Sequence, residues 1–243
     1  MSAKVSTQGR FFIVNTGPGV RENITLRGYR ILQSADLVIA SESQRKRFAE
    51  DLTGKQVIDG GHSLFTENAT RRGLSEDEVE QRQTALLEQL DGAYQAGKTI
   101  VLLESGDITL FSPYRGYMRA FAHLEPELVA GMSAFNAVNA LLARPLLTKQ
   151  EQRLQLSGLA ALMQADPRCL PDTWALFCMR LDLPELIDRI QSLYPADTRV
   201  GIAINAGYPD HEVIRCKVAE LNRYRDKEIS FPYCMIYIGL QAW

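Results

Sequence analysis

The side chains able to do chemistry stand in short polar turns, each placed behind an apolar run. Thr99 to Leu103 reads as a buried strand, and Glu104-Ser105-Gly106-Asp107 closes it before Ile108-Thr109-Leu110-Phe111 turns apolar again. In an open α/β sheet, ligands bind beyond the carboxyl ends of the strands. Glycine there lets backbone approach a ligand, and Asp107 can accept from hydroxyls or amines. Gly17-Pro18-Gly19, Ser133-Ala134, Phe177-Cys178-Met179 and Ala206-Gly207 occupy the same kind of place, just after a predicted strand. The set offers N–H and C=O groups, one carboxylate and a thioether, with no cationic clamp. That chemistry suits an uncharged adenine and ribose better than a triphosphate.

Other chemistries find less support. Thr16-Gly17-Pro18-Gly19 satisfies neither the dinucleotide fingerprint nor a phosphate loop, so by itself it reads as a strand-to-helix turn. His62, His123 and His211 share no metal-ligand spacing and read as surface residues, so no metal site is expected. No GxSxG elbow supports a serine triad. Cys169, Cys178, Cys216 and Cys234 form no close ligand pair and read as free thiols of a reducing compartment.

Elements must hold these turns in place. Phe11 to Val14 reads as a strand, Ile24 to Ser34 as a helix capped by Thr25, Ala35 to Ala40 as a second strand and Val57-Ile58 as a third. Glu76 to Leu90 reads as a solvated amphipathic helix with Val79, Ala85, Leu86 and Leu90 on one face. Helices are predicted over Pro113 to Ala122 and Phe135 to Ala143, the latter stopped by Pro145. Alternation of strand and helix argues for a parallel sheet in the first half. Later, Thr173 to Met179, Val200 to Ile204, Val213 to Val218 and Tyr233 to Ile238 read as strands with fewer helices between them, so the second sheet is expected to be mixed. The predicted domains are residues 1–125 and 126–243.

The chain has 243 residues, 46% hydrophobic and 23% charged, with net charge −2. These are the proportions of a globular protein with a core. Mild acidity and no basic–aromatic cluster argue against nucleic acid, no apolar run is long enough to cross a bilayer, and no signal peptide opens the sequence. A cytoplasmic protein is expected.

Six fragments then occur in an order that matches a known family. They are Gly17-Pro18-Gly19 with Ile24-Thr25-Leu26, Leu32 to Val38, Ser105-Gly106-Asp107, Gly131-Met132-Ser133-Ala134, Phe177-Cys178-Met179, and Tyr208 to Arg215. From Phe12 to Gly239 the chain resembles the tetrapyrrole methylase superfamily, which uses S-adenosylmethionine and includes corrin-ring and uroporphyrinogen methyltransferases. Its segments look most similar to the cobalt-precorrin-4 and precorrin-2 branches. The resemblance implies two α/β domains, the first with a parallel sheet and the second with a mixed one, a cofactor cleft between them, and a homodimer. It implies that Pro18, Ser105, Gly106, Asp107, Leu110, Ser133, Ala134, Met179, Ala206 and Gly207 line the cofactor site. Asp107 would hold the ribose hydroxyls or the amino-acid end, Ser133 and Ala134 would give backbone contacts, Met179 would pack on adenine, and Ala206 and Gly207 would bond its edge. The chain departs from the family at Ile108, where Gly-Asp-Pro is usual, at Val20, where an acid is usual, and at Ser41-Glu42-Ser43. Residues 63–88 match no family segment.

The implied reaction is methyl transfer by in-line displacement at the sulfonium carbon, leaving S-adenosylhomocysteine. The implied acceptor is a tetrapyrrole or corrin precursor of cobalamin biosynthesis. Glu104, Asp107, Tyr114 and Tyr117 lie near enough in sequence to accept a proton, and none is singled out. The alternatives are the same chemistry on a peptide, protein or RNA acceptor, and a protein that binds the cofactor without turnover.

Overall fold

The protein is described by a computed structural model covering residues 9–60, 64–65, 73–112, 116–143, 145–150, 152–178, 182–228 and 234–240. It divides into two compact units, Met1–Ser133 and Ala134–Trp243.

The first unit is built on five strands: β1 (Arg10–Asn15), β2 (Leu37–Ile39), β3 (Gln56–Ile58), β4 (Thr99–Glu104) and β5 (Glu127–Val129). They are all parallel, in the order β3-β2-β4-β1-β5. β5 pairs with β1, so the first sheet runs past the expected boundary at 125/126 and the first unit closes only at Ser133.

The inner strands β1, β2 and β4, buried on both faces, are near-continuous apolar runs, as covered parallel strands are. Side chains alternate between the faces. Phe11, Ile13, Ile100 and Leu102 face one way, onto α3 (Glu76–Gln95) and α4 (Gly116–Ala120); Phe12, Val14, Val101 and Leu103 face the other, onto α1 (Leu26–Gln33). Crossovers from the central neighbours β1 and β4 thus leave on opposite faces of the sheet, which is where an open α/β sheet opens a crevice.

Local signals set the helix starts. Thr25 caps α1 by accepting from Gly28 N, and Ser75 with Glu78 forms a capping box at α3. Within α3, Val79, Leu86 and Leu90 are buried as expected, whereas Ala85 is exposed. A short helix that the sequence did not announce, α2 (Glu42–Arg47), follows β2.

The second unit holds α5 (Ala134–Leu142), β6 (Leu154–Gly158), α6 (Leu159–Met163), β7 (Thr173–Cys178), α7 (Leu183–Leu193), β8 (Arg199–Ile204), β9 (Glu212–Lys217) and β10 (Cys234–Leu240). Its sheet order is β6-β7-β10-β8-β9, with only β6 and β7 parallel, so the sheet is mixed. Leu186, Ile187 and Ile190 of α7 pack on one face with Trp174, Leu176, Ile202 and Ile236. On β10, Tyr237 stacks on Phe135 of α5 at 6.2 Å and donates to Asn139 Oδ1 at 2.8 Å. No helix among the described residues is long and apolar enough to cross a membrane.

Candidate cofactor site

Three loops leave the carboxyl ends of the adjacent strands β4, β1 and β5, and one side chain joins them. Asn15, the last residue of β1, is 1% exposed. Its Nδ2 donates to Val129 O at 3.0 Å, and its Oδ1 accepts from Ile108 N at 2.9 Å. Thr16 continues the stitching: its N donates to Glu104 O at 2.7 Å and its Oγ1 to the same oxygen at 2.9 Å. Gly17 N then donates to Gly106 O at 3.3 Å, a bridge between the two glycine turns.

Glycine is required at both turns for stated reasons. Gly17 has φ +71°, and a Cβ there would lie 2.6 Å from Asn23 O. Gly106 has φ +69°, but a Cβ there would meet nothing within 4 Å. Space is therefore open beside Gly106, next to the Asp107 carboxylate. Asp107 Oδ1 accepts from Thr109 N at 2.9 Å and Thr109 Oγ1 at 2.6 Å, an Asx turn that fixes the carboxylate. Gly131, on the third loop, passes so close that a Cβ would sit 2.5 Å from Asn15 O.

The structure thus brings Pro18, Ser105, Gly106 and Asp107 together, through loops tied directly to one another. Leu110 follows in the same turn, donating its N–H to Asp107 O at 3.2 Å, and is 45% exposed. Ser133 is buried at the end of the third loop.

In the second unit, Ala134 begins α5. Ala206 is buried, and Gly207 has φ +91° in the turn after β8. Asn205 beside them adopts φ +52°, a conformation that costs a non-glycine residue energy and recurs at functional turns. Its Nδ2 donates to Asp210 Oδ2 at 3.1 Å, while Tyr208 N donates to Asn205 O and His211 N to Tyr208 O. Met179, like Tyr114 and His62, lies outside the described residues.

Two proton-acceptor candidates are placed by their burial. Tyr117 is fully buried in the first core and donates to Gly60 O at 2.6 Å, which removes it from the loops. Glu104 is buried at the end of β4, opposite Asn15 in register. His123 bonds Asp91 on the surface at 2.7 Å, as a surface histidine should. Among the described residues no group of His, Cys, Asp and Glu is arranged to hold a metal ion.

Sequence reasoning missed α2, and with it the cation beside the glycine loop. Arg47 Nη1 donates to Gly17 O at 2.9 Å and Thr16 Oγ1 at 3.2 Å; Nη2 donates to Thr16 O at 2.8 Å and to Val20 O. Gln44, one turn earlier, donates from Nε2 to Thr16 Oγ1 at 3.1 Å and Ser105 Oγ at 2.8 Å. The positive charge expected to be absent is present, and Arg47 directs it at the carbonyls of Thr16, Gly17 and Val20. Just past the loop, Arg21 grips buried Asp51 with both ends of its guanidinium at 2.7 and 2.8 Å.

Comparison with known proteins shows the family and the fold. The family model described as Tetrapyrrole (Corrin/Porphyrin) Methylases matches residues 10–222. The precorrin-4 C(11)-methyltransferase of Rhodococcus erythropolis is 27% identical over 86% of this chain and 82% of its own length. The structure of a cobalt precorrin-4 methyltransferase superposes with a TM-score of 0.67 at 21% identity, covering 95% of this chain and 94% of that one. A uroporphyrin-III C-methyltransferase of Thermus thermophilus, solved with S-adenosylhomocysteine, gives a TM-score of 0.66 at 17% identity over 95% and 92% of the two chains. With nearly the whole first sheet and most of the second inside the matched region, the chain belongs to the tetrapyrrole (corrin/porphyrin) methylases.

Proposed function

We propose that this protein is an S-adenosylmethionine-dependent methyltransferase acting on a tetrapyrrole or corrin precursor of the cobalamin branch. One observation carries the reading. In a chain of this family, the loops after β1, β4 and β5 are locked to one another through Asn15 and Thr16, and they leave open space at Gly106 beside a fixed carboxylate.

Those features fit the cofactor. Gly106 presents bare backbone, as close approach requires, and Asp107 offers a carboxylate whose Oδ1 is already held by Thr109. In the proposal Pro18, Ser105, Leu110 and Ser133 line the same ligand; Ala134, Met179, Ala206 and Gly207 are the further residues that the family resemblance implies for it. Bound cofactor supplies an electrophilic methyl group on sulfonium. The protein's own part is to orient the donor and acceptor and to exclude water, which is where positioning lowers a barrier most. Asp107 accepts hydrogen bonds from hydroxyl or ammonium groups, and the loop N–H groups donate to the ligand's acceptors.

We further propose a cytoplasmic homodimer. Free Cys169, Cys178, Cys216 and Cys234 support a reducing compartment, the dimer is the assembly that the family resemblance implies, and sedimentation tests it.

The test is calorimetry with S-adenosylmethionine and S-adenosylhomocysteine, followed by mass spectrometry of a reaction containing isotopically labelled methyl donor and a tetrapyrrole precursor. Both nucleotides bind, and Asp107→Ala weakens them about tenfold, the equivalent of ~1.4 kcal/mol. Binding of neither overturns the reading. Label recovered in a peptide or RNA changes the acceptor and keeps the chemistry. Binding without transfer to any acceptor leaves a cofactor-binding protein.

A further inference from the structure

We infer that Gln44 and Arg47 of α2 are positioning residues that set the spacing of the two glycine loops for the cofactor. This rests on the reading of that site given above. The two side chains project from one face of a single helical turn, as residues three apart do. Arg47 spans the first loop, its two terminal nitrogens reaching the carbonyls of Thr16, Gly17 and Val20 and the hydroxyl of Thr16. A planar fork with fixed donor directions can hold three carbonyls in one arrangement, which a lysine cannot copy. Gln44 then ties that loop to the second one, donating to Thr16 Oγ1 and Ser105 Oγ from one amide nitrogen.

The arrangement is costly in a telling way. Gln44 is 1% exposed, and its Oε1 has no hydrogen-bond partner among the described residues. A buried orphan acceptor lowers stability, and each such group in a native protein calls for a reason. The orphan is tolerated because the nitrogen is needed where it is, between the two loops. Gln44 directly follows Ser41-Glu42-Ser43, and Arg47 stands one helical turn further on.

Position and stability separate in one substitution. Gln44→Met keeps the volume, deletes the orphan oxygen and leaves Ser105 Oγ to water, since Ser105 is exposed. Its melting temperature stays the same or rises, while its affinity for S-adenosylhomocysteine falls about tenfold as the loops lose register. Arg47→Met loses about tenfold or more, and Arg47→Lys recovers only part of it.

The measurement is calorimetric titration of the full chain and these three variants with S-adenosylhomocysteine, well below their melting points. It is paired with melting curves without ligand and with hydrogen exchange of residues 15–20 and 104–108. Weaker binding in Gln44→Met without loss of melting temperature, with faster exchange in both loops, supports the latch. Binding by the unsubstituted chain and equal binding by Gln44→Met and Arg47→Met overturns it and leaves the cofactor reading intact. Binding losses that track losses of melting temperature also overturn it, since they mark a structural role alone. No binding by the unsubstituted chain overturns both.

Discussion

Replacing Asn15 by alanine removes the side chain that joins the three strand-end loops of the first unit. One buried backbone group then loses its partner, Ile108 N, which donates to Asn15 Oδ1 at 2.9 Å, and Val129 O loses the side-chain donor Asn15 Nδ2 at 3.0 Å. Ile108 is 4% and Val129 1% exposed, so water does not reach either site without local opening. Orphaning Ile108 N costs about 1–3 kcal/mol and the lost bond to Val129 O about 0.5–1.5 kcal/mol, so the substitution costs about 1.5–4.5 kcal/mol. At roughly 3–5 °C per kcal/mol for a unit of this size, the melting temperature falls by about 5–20 °C. Urea unfolding checks this directly: the midpoint drops while the slope m stays constant, because the surface exposed on unfolding is unchanged. Asn15→Asp refines the test. The ionised carboxylate accepts from Ile108 N but cannot donate to Val129 O, whereas the protonated acid can do both. Burial favours that neutral form and raises the folded-state pKa. The folded state then binds more protons than the unfolded one, so the penalty of Asn15→Asp shrinks as pH falls and grows as it rises above ~4. A loss below about 1 kcal/mol in Asn15→Ala would refute the claim that one buried amide holds the loops together.

Two further outcomes follow from the same structure. Gly131→Ala and Gly106→Ala should part company: a Cβ on Gly131 would lie 2.5 Å from Asn15 O, whereas one on Gly106 would meet nothing within 4 Å. Gly131→Ala therefore melts well below the parent, while Gly106→Ala costs only about 1–2 kcal/mol for its left-handed backbone yet weakens S-adenosylhomocysteine binding by obstructing close approach. Melting curves and calorimetry on the two variants settle this, and a Gly106→Ala variant with full affinity contradicts the site. In the second unit, burial pushes the Tyr194 hydroxyl up to about 12, and burial also raises that of Tyr237. Protonated in the folded state while the unfolded chain has begun to ionise, each phenol contributes stability that is complete below pH ~10 and is lost above it, by up to ~1.4 kcal/mol per pH unit. Urea midpoints measured between pH 9 and 11.5 should fall steeply only above ~10, and a flat profile would contradict the burial of both hydroxyls.

What the sequence determined is whatever short-range physics controls. The apolar runs inside β1, β4, β7 and β8 announce strands because burial on both faces favours apolar residues at successive positions, polar ones standing at the strand ends. Thr25 announces the start of α1 because its hydroxyl accepts from the N–H group three residues on. Gly17-Pro18-Gly19, Ser105-Gly106-Asp107 and Ala206-Gly207 were legible as strand-end turns for the same local reasons. The glycines at 17, 106 and 207 do carry positive φ. The edge strand β6, half-buried throughout, was not read because its alternation Leu154-Gln155-Leu156-Ser157 lasts only one short run, and the polar helix α2 was not read because it has no apolar face.

Only tertiary structure decided which turns meet and what holds them. Asn15 reaches Val129 across 114 positions, Gln44 reaches Ser105 across 61, and Arg47 reaches Thr16 across 31. No local pattern encodes such pairs, because a side chain's hydrogen-bond partner is chosen by the sheet order that brings strand ends together. The same holds for Tyr117, which by sequence stood among the candidates for proton acceptance and by packing belongs to the core. The order β3-β2-β4-β1-β5 sets β1 between β4 and β5, and that adjacency alone gives Asn15 two loops to join.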